Sequence, residues 1–142
     1  METATQVAGI SKGQLWTGRI FSGLVILLLL ADSIGKFVKP PAVVEGTVKL
    51  GYPESVILKL GVILLISTVL YAIPRTAMLG AILLTGYLGG AVATHTRVSD
   101  PLFSHVLFPV YLGILLWAGL WLRDLRFREL LPVRKLTGIS KF

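Results

Sequence analysis

Gly23-Leu24-Val25-Ile26-Leu27-Leu28-Leu29-Leu30-Ala31 decides the fold class. No charge interrupts it, and the mostly apolar stretch around it runs from about Trp16 to Val38. That exceeds the roughly 20 residues a helix needs to cross the hydrocarbon of a bilayer. Three more stretches of this kind follow, at about 53–73, 77–96 and 105–122. The expectation is an all-α integral membrane protein, an antiparallel four-helix bundle over 16–122. A short tail (1–15) precedes it and a basic tail (123–142) follows.

The breaks between spans are as informative as the spans. Lys39-Pro40-Pro41 stops the first, because proline removes a donor and restricts the residue before it. The segment from Pro40 to Tyr52 is the longest connection; it is moderately apolar, fit either to lie on the membrane or to fold over the bundle as a lid. Pro53 suits the first turn of the second span. Pro74-Arg75-Thr76 is so short that spans two and three form an antiparallel hairpin. Arg97 to Ser104 is a short polar loop before span four.

Composition agrees. Of 142 residues, 54% are hydrophobic and 15% charged, against about 45–50% and about 25% in soluble domains. The net charge of +7 points to membrane flanks rather than nucleic acid, because six of the fourteen basic residues, Arg123, Arg126, Arg128, Arg134, Lys135 and Lys141, follow the last span. The chain has no cysteine, which excludes disulfides, Cys-ligated clusters and a Cys nucleophile. Lys12 and Arg19 before Leu24–Ala31 imitate a signal peptide, but the apolar stretch lies far from the start and no small-x-small site follows. It reads as an uncleaved first helix.

Basic residues also orient the bundle. Lys12, Arg19, Arg75 and the tail fall on one side; Lys39, Lys49 and Arg97, diluted by Glu45 and Asp100, fall on the other. The expectation is a multi-pass protein of the cell membrane with both termini cytoplasmic.

Ionisable groups inside a membrane are costly and face the bundle interior or a wet cavity. Asp32 lies past the midplane of span one, and Lys36 is one turn further on the same face. Glu54 and Lys59 open span two at the same level, Thr94 and His95 close span three there, and His105 opens span four. All four helices contribute a polar group near their outer ends. Tyr87 and Tyr71 are candidates for an aromatic wall. A purely structural reading stands beside this one: lysines that snorkel, Glu54 as a cap. Local metal-ligand spacing is missing, and no metal is expected. Haem held by His95 and His105 lacks an attachment motif. Standard nucleotide-binding and hydrolase motifs are missing too. Gly86 and Gly90, extended by Thr94, make a small-residue row that suits close helix packing, within the chain or across a homo-oligomer.

One family resemblance emerges. Gly51-Tyr52-Pro53-Glu54, Leu60-Gly61 and the string from Leu70 through Pro74-Arg75-Thr76-Ala77, Leu79-Gly80-Ala81 and Gly86-Tyr87-Leu88-Gly89-Gly90-Ala91 to Thr94-His95 resemble the DoxX-like family, as does Asp32 with Lys36. The resemblance runs from about Phe21 to Arg123. It implies a four-helix bundle of the bacterial inner membrane. It also implies an association with sulfur oxidation, quinone reduction and oxidative-stress complexes, and a distant likeness to bundles that bind sterols or quinones in a central cavity. Asp32, Glu54 and His95 match the pocket residues of such folds, and a catalytic role would fall to the same three. Three readings stay open. One is a site for a quinone- or lipid-like ligand, in which His95 exchanges protons. A second is a non-catalytic subunit that docks a membrane or peripheral redox partner. The third is a small oligomeric transporter.

Overall fold

The computed structural model describes residues 9–130. Arg134, Lys135 and Lys141 of the basic tail lie outside the described residues. Within them the chain is helical throughout its regular structure: α1 (Lys12–Val38), α2 (Pro41–Lys49), α3 (Ile57–Ala72), α4 (Ala77–Arg97), α5 (Phe108–Arg123) and α6 (Leu125–Leu130). Four segments are long and apolar enough to cross a membrane: Lys12–Val38, Glu54–Ala72, Ala77–Arg97 and Leu102–Arg123. They coincide with the expected spans to within a few residues. The largest shift is at the start, where the helix begins at Lys12 rather than Trp16. A capping box places it there: Ser11 Oγ accepts from the Gln14 amide, and the Gln14 side chain accepts from the Ser11 amide.

α1 and α4 each pack against α3 and α5, so the four long helices close a ring in the order α1, α3, α4, α5. Its core runs through Val25 and Leu29, Leu64, Tyr71, Ala77, Ala81, Leu84, Leu88, Leu112 and Leu116. Large apolar side chains on the outside, such as Leu27, Ile63, Ile82 and Ile114, stay exposed. Such a surface suits hydrocarbon, and the chain is a multi-pass membrane protein. In lipid, apolar burial does not drive helix association; close packing and hydrogen bonds do.

Both appear where backbones approach. A Cβ on Gly119 would lie 2.5 Å from Ser22 Oγ, and one on Gly18 would lie 2.9 Å from the Gly119 carbonyl, so α1 and α5 touch at glycines. A Cβ on Gly80 would lie 2.2 Å from the Tyr71 amide, which locks the α3–α4 hairpin. Beside these contacts Ser22 Oγ donates to the Tyr71 hydroxyl (2.9 Å), which donates to the Leu116 carbonyl (2.7 Å). This buried chain ties three helices together. The expected Gly86/Gly90 row takes no part in such packing. A Cβ on either residue would meet nothing within 4 Å.

The connection from Pro40 to Tyr52 is the clearest departure from a plain loop. Lys39 adopts a left-handed conformation (φ 52°) that ends α1, and Gly51 another (φ 88°) that follows α2. Between these two bends α2 lies across the end of the bundle, with none of its residues buried. At the same end a π-turn, Leu102–Val106, leads into α5.

Candidate functional site

Between the four long helices, at the end opposite the termini, lies a cavity of about 510 Å³. Its apolar wall comes from Leu28 and Leu29 of α1, Leu60 of α3, Leu88 of α4, and Phe108 and Leu112 of α5. Gly86, Gly90 and Ala91 line it along α4. The glycine row therefore widens the cavity instead of seating a neighbouring helix. Thr47, Leu50 and Tyr52 complete the wall, so α2 and the residues after it cover the opening.

Five of the sequence-predicted residues meet here: Asp32, Lys36, Tyr87, Thr94 and His95 all line the cavity. Asp32 and Lys36, one turn apart on α1, form an ion pair. The lysine is 12% exposed and the aspartate 49%, so the carboxylate is the member presented to the open space. Lys36 is held by its stem, which packs where a Gly61 side chain would otherwise sit. One turn earlier Ser33 Oγ donates to the Gly61 carbonyl (2.9 Å), fixing α1 against α3. Thr94 donates to the Gly90 carbonyl (2.8 Å) and accepts from the Tyr52 hydroxyl (3.0 Å).

His95 does not pair with Asp32. Its Nδ1 lies 2.6 Å from Asp100 Oδ2, across the end of α4. This hydrogen bond holds the Asp100 carboxyl below the usual carboxylate range, with the charge of His95, His105 and Lys49 helping, against an opposing effect of burial. Asp100 is ionised at neutral pH and accepts; the Nδ1 proton is on His95. Nε2 is the nitrogen left open.

Glu54 and His105 stand apart from the cavity. Glu54 sits exposed in the 3₁₀ turn that precedes α3. His105 is exposed in the π-turn, bonded to Ser104 Oγ (2.7 Å), with its ring centroid 5.9 Å from that of His95. Tyr71 is fully buried at the other end of the bundle, where its hydroxyl bonds Leu116. It forms no part of the wall. Among the described residues no group of three or more His, Asp or Glu side chains is placed to hold a metal ion.

Sequence reasoning missed Tyr52, Asp100 and Arg97. Arg97 Nη2 donates to the Leu50 carbonyl (2.6 Å), pinning the end of α2 to the end of α4. A signal for Asp100 existed: His95 and Asp100 flank a helix end five positions apart, within reach across a turn. Nothing local marks Arg97, whose partner is a backbone carbonyl 47 residues away.

A family model, that of the DoxX-like family, matches residues 20–119. The chain belongs to the DoxX-like family. Every residue that lines the cavity falls inside the matched stretch. For this DoxX-like protein neither a curated protein nor a solved structure gives a match.

Proposed function

We propose that this DoxX-like protein binds a small hydrophobic or amphipathic molecule, quinone- or lipid-like, in the cavity between its four helices. One observation carries the reading: a cavity of about 510 Å³ with an apolar wall and with Asp32, Lys36, Tyr52, Thr94 and His95 gathered at its covered end. Ligand sites are of this size and character, mostly apolar with a few convergent polar groups. The glycines at 86 and 90 support it, because they leave open space where side chains would fit.

The apolar part of the ligand lies along Gly86 and Gly90, and its polar end meets Asp32 and His95. His95 is the group suited to proton exchange with the ligand, since imidazole titrates near neutral pH. Such a protein serves a membrane redox system as the component that holds the lipid-soluble molecule. The distribution of basic residues supports a cytoplasmic position for both termini: Lys12, Arg19, Arg75, Arg123, Arg126 and Arg128 all lie at the end away from the cavity. The cavity then opens toward the outer leaflet.

The test is identification by mass spectrometry of small molecules that co-purify with wild type, Asp32→Asn and His95→Ala. A molecule retained by wild type and lost from both variants is the expected result. Equal retention in all three contradicts the assignment of the polar end.

A further inference from the structure

The cavity's free hydrogen-bonding groups indicate what kind of head it takes; this rests on the cavity being a binding site. Three acceptors are available. Asp32 spends one carboxylate oxygen on Lys36 and presents the rest to the open space. Tyr52 must donate to Thr94, because Thr94 has given its own proton to the Gly90 carbonyl, so the Tyr52 oxygen keeps a free lone pair. His95 donates its Nδ1–H to Asp100, so in its neutral form it offers Nε2 as an acceptor. On the donor side stand the Tyr87 hydroxyl and the remaining protons of Lys36.

Charge narrows the choice further. An anionic head would face Asp32 on the wall and Asp100 behind His95. A cationic head would compete with Lys36, which is mostly buried and already neutralises Asp32. Moving an unpaired charge out of water is expensive, whereas a neutral hydroxyl needs only a hydrogen-bond partner. We propose that the cavity selects a neutral amphiphile whose head is a hydroxyl group, donating to Asp32 or His95, with an apolar chain or ring against Gly86 and Gly90.

Three amphiphiles with one saturated tail separate the possibilities: hexadecanol, palmitate and hexadecylamine. Each is titrated at neutral pH into the full-length protein in nanodiscs, with binding read by native mass spectrometry. Hexadecanol is expected to bind at least about tenfold more tightly than the other two. Asp32→Asn, which replaces an ionised acceptor by a neutral one, is expected to weaken it about tenfold. Asp32→Glu restores most of that loss. Glu54→Gln leaves it within about threefold, because Glu54 is exposed on the turn before α3 and stands apart from the cavity. Circular dichroism of each variant shows that the helices are intact; should Asp32→Asn not fold, the head-group order in wild type and in Glu54→Gln decides.

Tighter binding of palmitate or hexadecylamine, or equal binding of all three, abolished in each case by Gly86→Phe, overturns the neutral-head assignment while the cavity reading stands. Binding of none, or binding that Gly86→Phe leaves unchanged, overturns the cavity reading itself.

Discussion

The Tyr52 hydroxyl lies 3.0 Å from Thr94 Oγ1, joining the turn that follows α2 to the cavity-facing side of α4. Two residues earlier the Leu50 carbonyl accepts from Arg97. These two hydrogen bonds hold the cover in place, since none of the residues of α2 is buried. Hydrogen bonds of this kind in membrane proteins contribute about 0.6 kcal/mol on average and at most about 1.7. A cover held by two bonds of this strength is expected to open readily. The chain has no cysteine, so a Thr47→Cys reporter is the only thiol. Its labelling by a polar maleimide is expected to quicken about threefold to tenfold when Tyr52→Phe and Arg97→Gln are added. Unchanged labelling rates contradict a cover held by this pair.

Packing at the opposite end is of a different kind. Tyr71→Phe removes the hydroxyl between Ser22 and the Leu116 carbonyl. The expected loss is about 1 kcal/mol, or a few degrees in Tm. Gly80→Ala is expected to be worse, because its Cβ would strike the Tyr71 backbone and the hairpin must shift. Thermal unfolding in detergent checks the order. Gly80→Ala milder than Tyr71→Phe contradicts the close approach.

Asp100 gives a pH dependence whose sign is fixed. Its folded-state carboxyl is held below the ordinary value of 3.8 by the His95 hydrogen bond. A lowered carboxyl contributes stability that is present above that ordinary value and is lost as pH falls through the folded one. The Tm advantage of wild type over Asp100→Asn is therefore expected to hold from neutral pH down to about 4 and to shrink below it. A carbon NMR titration of the Asp100 carboxyl reads the same quantity directly. A midpoint at or above 3.8 contradicts the pairing.

Much of this architecture was legible in the chain. Gly23–Ala31 and the prolines at 40, 41, 53 and 74 delimit the helices, because the bilayer imposes length and proline imposes ends. Depth placed Asp32, Lys36, Thr94 and His95 at one level, and helix rotation, which their spacing leaves open, brought them onto one wall. Position along the chain explains what went elsewhere. Glu54 lies on a turn before α3 and points outward; Tyr71 sits inside, but at the wrong end. Gly86 and Gly90 show how one pattern serves two ends: small residues let a neighbour approach or leave a void, and only the packing of α5 against α4 decides which. The cover was harder still. Its short helix lies between two left-handed residues, and its anchors are a tyrosine and an arginine whose partners are distant in sequence.

Filling the void tests the central claim most directly. A Cβ at 86 or 90 meets nothing within 4 Å and both glycines line the cavity, so Gly86→Phe with Gly90→Leu is expected to fold with a Tm within about 2 °C of wild type. Native mass spectrometry of both proteins, extracted from membranes into nanodiscs, measures occupancy of the cavity. Wild type is expected to carry a bound amphiphile of defined mass, and the filled variant, with intact helices, to carry none. The same bound mass at the same occupancy in both contradicts the cavity as the binding site.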